Sequence, residues 1–233
     1  RSVERGHAPT VVLGAVEHSA VRESAAQFAG AFGGSVRTIG VDRLGRVDLD
    51  RMLEAIDPDT ALVHIQWGNH EVGALQPIEA IIARCNELGV LVHIDASQAV
   101  GRVPIGFDGS GADLLSFSGH RLGAPSGTGV LAVRRGLRLE PLLRGSDQER
   151  GRRAGLEALI PLMGLGAVAG ALDPERLRRE AAGSRSLLAE VIDIATSIEG
   201  VELLGDPDPA GRLPHIACVT VAGVEPQAVL LGL

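Results

Sequence analysis

Two short apolar runs that end in polar groups constrain the fold of this chain more than any other feature. Val90 to Ile94 ends in Asp95, and Asp113 to Phe117 ends in the segment Ser118-Gly119-His120-Arg121. Each run has the length of a β-strand and carries its polar side chains at its carboxyl end. In a mainly parallel α/β sheet, ligands bind beyond the carboxyl ends of the strands. The sequence therefore predicts one site at this edge, built from these residues and Gln98.

The flanking segments alternate between strand and helix patterns. An apolar run at 61–66 is followed by Pro77, which opens a helix that Gly89 closes directly before the 90–94 strand. This order predicts a parallel strand pair with a right-handed crossover. Further strands are expected at 10–16, 35–41, 129–133 and 216–221, with helices at 19–32, after Asp48, from 156 and after Asp173. The fold class is therefore α/β, a mainly parallel mixed sheet flanked by helices.

Charge and cysteine content narrow the classes of partner. The net charge of −7 argues against nucleic-acid and membrane-surface binding, because both need local positive charge. No apolar run reaches the roughly 20 residues that a membrane-spanning helix needs. The two cysteines, Cys85 and Cys218, make no disulfide framework and are expected in the core. We expect a cytoplasmic protein acting on a small molecule.

The two ends suggest a fragment of a longer protein. The chain starts at Arg1 without a Met and stops at Leu233 inside a helix-like segment. A composition shift near 172–175 predicts a boundary between a large domain, 1–173, whose N-terminal part is missing, and the start of a small α+β domain, 174–233.

Five segments, in this order and spacing, resemble the cysteine desulfurase branch of the class V aminotransferase family. They are Glu17–Val21 (EHSAV), Asn69–Gly73 (NHEVG), His93–Gly101 (HIDASQAVG), Ser116–His120 (SFSGH) and Gln148–Arg153 (QERGRR). The resemblance covers nearly the whole chain. It implies a homodimer of fold type I that uses pyridoxal 5′-phosphate and acts on cysteine or a related amino acid, as a carbon–sulfur lyase or sulfurtransferase.

The resemblance also implies roles for single residues. Asp95 would pair with the pyridine nitrogen of the cofactor, because a carboxylate keeps that nitrogen protonated and the ring able to accept electrons. Gln98 would donate to the ring hydroxyl oxygen, and His18 would stack on the ring and move protons. Ser118 and His120 would bind the phosphate through their hydroxyl and imidazole groups.

From the residues alone, plainer interpretations stay open. Asp95 also suits a helix N-cap, Gln98 an exposed helical position, and Ser118 a turn between strands. His64 and His93 lie within apolar runs, so they are interpreted as core or near-site histidines. Their spacing does not resemble a metal site.

Three positions depart from the family pattern. Arg121 occupies the position of the lysine that holds the cofactor as a Schiff base, and arginine stays protonated where lysine can become a nucleophilic amine. Covalent attachment is therefore not expected, although Arg121 could contact a phosphate or a substrate carboxylate. His70 replaces an asparagine near the ring hydroxyl. Leu156 replaces a threonine that would reach the phosphate in the neighbouring subunit.

Two functional hypotheses follow from this mixture. The first is an enzyme of the cysteine desulfurase type, since the ring-facing set is present. The second is a catalytically inactive paralogue that serves as a binding or regulatory partner, since three positions have changed. A generic nucleotide-binding domain is disfavoured, because the sequence has neither the dinucleotide nor the P-loop glycine fingerprint.

Overall fold

A six-stranded sheet forms the centre of the molecule. The computed structural model describes residues 8–232. The strands are β1 (Thr10–Gly14), β2 (Ser35–Ile39), β3 (Thr60–Gln66), β4 (Leu91–Asp95), β5 (Leu114–Ser118) and β6 (Gly129–Val133). They lie in the order β2-β1-β3-β4-β5-β6, in which the first five are parallel and β6 runs antiparallel to β5. The predicted mainly parallel mixed sheet is confirmed.

Helices connect these strands and continue beyond them. They are α1 (Ser19–Ala31), α2 (Leu49–Ala55), α3 (Ile78–Leu88), α4 (Gln148–Gly151), α5 (Leu159–Gly170), α6 (Pro174–Thr196) and α7 (Pro226–Gly232), with 3-10 turns at Gly119–Leu122 and Pro209–Gly211. A second sheet pairs β7 (Val201–Leu204) with β8 (Cys218–Val221), antiparallel. Within residues 8–232, no helix combines the length and apolarity needed to cross a membrane.

The helix ends follow the local sequence signals. The side chains of Asp48 and Asp173 accept hydrogen bonds from backbone N–H groups three residues on, at 3.2 and 2.7 Å, as N-caps do. Gly89 ends α3 in the left-handed conformation with φ 66°, which a side chain would oppose. These boundaries agree with the prediction.

Alternation along β3 and β4 separates an apolar face from a polar face. Val63 and Ile65 on β3 and Val92 and Ile94 on β4 are buried in one core together with residues of α2 and α3. Their neighbours in sequence point to the opposite face, where the parallel register sets His64 beside His93, Gln66 beside Asp95, and Asp95 beside Ser116. The ladder therefore gathers polar side chains on one side of the sheet.

Two details were not predicted from the sequence. In α1 the buried side chains are Ala25 and Ala29, while Phe28 and Phe32 are about half exposed. The small alanine lets the helix approach the apolar side chains of β1, with which Ala25 shares a cluster. The strand β7 was not predicted, because its four residues alternate too briefly to stand out.

A loop from the second sheet docks on the first half of the chain. The backbone N–H of Leu213 donates to the carbonyl of Gly73 at 2.8 Å, and that of Leu75 donates to the carbonyl of Gly211 at 2.9 Å. Leu213 is buried against Gly68, where an added Cβ would lie 2.7 Å from the leucine side chain. This contact holds the segment after Leu213 beside the carboxyl edge of the main sheet.

Candidate active site

A cavity of about 490 Å³ opens at the carboxyl edge of the parallel strands. Its size lies in the range typical of small-molecule sites. All seven residues that the sequence analysis assigned to a site line it: His18, His70, Asp95, Gln98, Ser118, His120 and Arg121. The convergence of these residues in one cavity agrees with the sequence-based prediction, and their individual roles remain predictions.

Asp95, at the end of β4, combines two functions that the sequence could not separate. One of its carboxylate oxygens, Oδ1, accepts a hydrogen bond from the backbone N–H of Ser97 at 2.9 Å, which closes an Asx-turn. Residues 97–102 form turns, so the alternative of a helix N-cap at Asp95 was wrong. The side chain also lines the cavity. The turn fixes the carboxylate at the strand end and leaves the second oxygen available to a ligand N–H.

Glu17, which sequence reasoning did not single out as a site residue, is buried next to this carboxylate. Its Oε1 accepts a hydrogen bond from the backbone N–H of Gln66 at 2.9 Å, and Oε2 is buried without a partner within residues 8–232. Burial, reinforced by the negative charge of Asp95, raises the pKa of Glu17 to about 8. Glu17 is therefore protonated at neutral pH. The available signal was an acid directly after an apolar strand.

Three polar side chains form a chain across the floor of the cavity. His64 Nδ1 lies 2.7 Å from His93 Nδ1, and His93 Nε2 lies 2.9 Å from Ser116 Oγ. Burial lowers the pKa of His64 to about 3, with a further contribution from His93, and lowers that of His93 despite the opposing charge of Asp95. Both imidazoles are therefore neutral. One Nδ1 therefore donates to the other, and the tautomer of His93 sets the direction of the hydrogen bonds along the whole chain.

Ser118 and His120 form the opposite end of the cavity. Ser118 Oγ lies 2.7 Å from His120 Nδ1, and both side chains face the cavity. Between them, Gly119 packs so closely on Thr128 that an added Cβ would lie 2.1 Å from its hydroxyl. The glycine lets the turn fold against β6 and brings hydroxyl and imidazole together, a donor pair suited to a phosphate.

His18 and His70 lie at the mouth of the cavity. His18 is the N-cap of α1, since its Nδ1 accepts a hydrogen bond from the backbone N–H of Ala20 at 3.1 Å. The two rings meet edge-on, with centroids 5.4 Å apart and planes inclined by 66°. His18 is therefore a helix cap whose ring also lines the cavity.

Arg121 brings a permanent cation to the place where an amine was expected. Its side chain is exposed at the cavity mouth. The 22 basic side chains of the printed sequence are all arginines, so these 233 residues contain no lysine amine. The cavity therefore has carboxylate, hydroxyl and imidazole groups that suit a phosphorylated pyridine, but this chain has no group for covalent attachment to it.

The two cysteines lie outside this cavity. Cys85 is fully buried, and burial raises the pKa of its thiol to about 12, so it is an unreactive core residue as predicted. Cys218 lies on β8 and is only partly buried, which corrects the expectation of a second core cysteine. Leu156 is 88% exposed and does not contact the cavity.

Comparisons with known proteins agree with this geometry. The Aminotransferase class-V family model matches residues 3–233. A cysteine desulfurase of Gluconacetobacter diazotrophicus is 42% identical over 222 residues, which cover 95% of this chain and 55% of that protein. This chain spans about half the length of the curated relatives that it matches.

Solved structures show the same fold. A NifS-like protein superposes with a TM-score of 0.87 at 28% identity, over 95% of this chain and 60% of that one. A structure described as SspA in complex with cysteine superposes with a TM-score of 0.79 at 27% identity, over 94% of this chain and 60% of that one.

Proposed function

The chain belongs to the aminotransferase class-V family, and from this premise we propose that the whole protein is a pyridoxal phosphate-dependent enzyme of the cysteine desulfurase type. Its substrate would be cysteine or a related amino acid. The fold is the fold type I of this family, as predicted. One observation carries the proposal: the parallel register brings Asp95, Gln98 and Ser118 into one cavity of about 490 Å³.

The groups in the cavity fit the family cofactor without a covalent bond. Asp95 would accept the N–H of the pyridine ring, Gln98 would donate to its hydroxyl oxygen, and Ser118 and His120 would hold its phosphate. When bound, pyridoxal phosphate supplies a ring that accepts electrons from a substrate carbanion. Members of this family use that cofactor.

The buried residues set the charge of the cavity floor. Since Glu17 keeps its proton and the His64–His93 pair is neutral, Asp95 is the only carboxylate among residues 8–232 that lines the cavity, and it faces no second anion from that range there. A lone carboxylate in a partly buried site attracts a protonated ring nitrogen more strongly than one shared with another anion. His18, at the mouth, is placed to move a proton at its exposed ring nitrogen.

The second candidate function is an inactive paralogue that acts as a binding or regulatory partner. Arg121 stays protonated at working pH and cannot act as the amine base of the family. His70 and Leu156 are further departures from the family pattern. The same cavity would then bind a ligand without turning it over.

Oligomeric state, domain division and location are part of the proposal. Large apolar side chains are exposed in the segment 142–163: Leu142, Leu143, Leu156, Leu159, Ile160 and Met163. Such a patch supports a homodimer that buries it. We place the domain boundary at 173/174, where α6 begins, and the protein in the reducing cytoplasm, since Cys85 and Cys218 are both free.

Two measurements on the whole protein test these candidates. The first is the absorbance change on titration with pyridoxal phosphate, and the second is the formation of alanine and sulfide from cysteine. We expect cofactor binding that weakens at least tenfold in Asp95→Ala and is unchanged in the exposed control Asp108→Ala. Products that depend on Asp95 favour the enzyme and exclude the paralogue. Cofactor binding without products favours the paralogue, and a protein that ignores the cofactor contradicts the enzyme.

A further inference from the structure

The row of three polar side chains on the cavity floor has both of its ends in the main cavity. We call this row, His64, His93 and Ser116, the floor chain. His64 and Ser116 line the cavity, whereas His93, only 8% exposed, lies between them. Within residues 8–232, His64 Nε2 has no hydrogen-bond partner and is not fully buried, and the Ser116 hydroxyl pairs only with His93. Each end therefore keeps one hydrogen-bonding direction free for the cavity.

The parallel sheet sets these three groups at hydrogen-bonding distance. The strands β3, β4 and β5 contribute one side chain each. His64 lies opposite His93 in the register, and Ser116 lies opposite Asp95. The two Nδ1 atoms are 2.7 Å apart and His93 Nε2 is 2.9 Å from Ser116 Oγ, distances over which a proton can pass. The Ser116 end of the floor chain therefore lies next to Asp95 in the sheet.

The floor chain has two states that differ only in the positions of protons. In the first, His64 Nδ1–H donates to His93 Nδ1 and His93 Nε2–H donates to Ser116 Oγ, so that His64 Nε2 is an acceptor toward the cavity. In the second, Ser116 donates to His93 Nε2, His93 Nδ1–H donates to His64 Nδ1, and His64 Nε2 carries a proton. The first state offers an acceptor at the His64 end and a hydroxyl proton at the Ser116 end.

One proton crosses the floor when the first state becomes the second. His64 Nε2 takes up a proton from the cavity, and the His64 Nδ1 proton passes to His93 Nδ1. The His93 Nε2 proton then passes to Ser116 Oγ, and the earlier hydroxyl proton leaves to cavity water. One proton enters and one leaves, so no charge remains on the floor chain and no heavy atom has to change its partner.

The buried surroundings favour passing a proton on over keeping it. Burial lowers the pKa of His64 to about 3 and also lowers that of His93, although the charge of Asp95 opposes the second shift. An imidazolium is therefore not stored on the floor chain at neutral pH. Arg121 differs in this respect, since its guanidinium keeps its proton and cannot accept another.

We propose that His64, His93 and Ser116 form a proton relay, which accepts a proton from a bound ligand at His64 Nε2 and releases one to water at the Ser116 hydroxyl. The inference rests on the proposed function only for the identity of the ligand, whose acidic group would be an N–H or S–H of the amino-acid substrate. The relay gives the cavity a route for protons that does not depend on an amine at position 121.

The test follows the imidazole proton of His93 in the whole protein freed of cofactor. NMR of protein labelled with 15N-histidine measures how fast this buried N–H exchanges with water at pH 7. Each passage of a proton renews it, so His64→Phe and Ser116→Ala should each slow the exchange at least tenfold. The double variant should be no slower than the slower single variant, since loss of either end breaks the relay.

Two further variants serve as controls for this exchange measurement. Ser116→Thr keeps the hydroxyl and should exchange within twofold of the unaltered protein. Ser186→Ala, at an exposed position of α6, should leave the exchange unchanged.

Three outcomes of the exchange measurement would overturn the inference. They are exchange that neither single variant slows, slowing by the two variants that multiplies in the double variant, and Ser116→Thr as slow as Ser116→Ala. The cofactor is absent and no product is formed, so these results do not depend on whether the protein binds pyridoxal phosphate. If the protein forms alanine from cysteine, His64→Phe should also lower kcat about tenfold with KM within twofold. An unchanged kcat would remove the ligand as the source of the proton.

Discussion

The floor and the rim of the main cavity are built on different principles. The floor consists of polar side chains on the sheet strands or just after them: Glu17, His64, Gln66, His93 and Asp95. These groups are buried or half-buried and hydrogen-bonded to one another or to nearby backbone. The rim consists of His70 and the exposed Arg121, while Leu156 is exposed and lies outside the cavity.

The three departures from the family pattern all lie on the rim or outside the cavity. Buried positions depend on ladder register and on satisfied hydrogen bonds, so a change there costs folding free energy. An exposed arginine or leucine can replace another side chain at almost no cost to the fold. This chain can therefore keep the fold and the polar floor of the cavity while the exposed side chains around the cavity change.

The largest expected effect is on stability, and it compares the core that supports the floor with the exposed Leu156. Ile94→Ala removes a fully buried side chain from the core beneath Asp95 and should cost about 4 kcal/mol of unfolding free energy. Leu156→Ala, at an 88% exposed site, should cost less than about 0.5 kcal/mol. Urea unfolding of both variants measures the difference. Similar losses of unfolding free energy in the two variants would contradict the prediction.

The next effect concerns the proton on Glu17. The folded protein keeps this proton up to pH about 8, whereas an unfolded chain releases it near its ordinary pKa of 4.5. Between these values the unfolded state binds fewer protons, so stability falls as pH rises. The unaltered protein should lose about 2–3 kcal/mol of unfolding free energy between pH 5 and pH 7, at up to about 1.4 kcal/mol per pH unit. Glu17→Gln has no proton to release at this position and should not show this loss.

Unfolding free energies at both pH values, for the unaltered protein and the variant, check that prediction. Glu23→Gln, on the exposed face of α1, is the matched control and should follow the unaltered protein. A parallel pH profile for the unaltered protein and Glu17→Gln would mean that Glu17 is ionised in the fold.

The smallest expected effect belongs to Leu156, outside the cavity. Leu156→Thr restores a hydroxyl that, by the family pattern, reaches the cofactor of a neighbouring subunit. We expect a change in unfolding free energy within about 0.5 kcal/mol. Cofactor affinity should rise about threefold, which is the gain expected from one neutral hydrogen bond. The rise should occur only at protein concentrations where dimers form, because the hydroxyl would reach the neighbouring subunit. Sedimentation and cofactor titration test this, and a large loss of stability would place Leu156 in a packed contact.

The sequence predicted the sheet and its polar edge because both follow from short-range patterns. The length of each apolar run predicts the length of the strand, and the polar residue that follows, Asp95 or Ser118, marks its end. The caps at Asp48 and Asp173 and the stop at Gly89 are equally local. Strand and helix bounds were therefore close to those observed.

Features that depend on three-dimensional neighbours could not be predicted in the same way. The burial of Glu17 requires the backbone of Gln66, which lies 49 residues further along the chain. The position of His215 beside Arg102 and Arg121 requires the docking of the loop through Leu213. Residue spacing in the sequence does not predict contacts between such distant segments, so these two contacts were found only in the structure.

The central claim is that the floor is ready for the cofactor and that the missing amine alone prevents covalent attachment. The most direct test is Arg121→Lys in the whole protein, with pyridoxal phosphate added, followed by borohydride reduction and peptide mass mapping. We predict a new visible absorbance band and cofactor mass on Lys at this position, with neither in Arg135→Lys. A folded Arg121→Lys protein that shows no band and no added mass would contradict the claim.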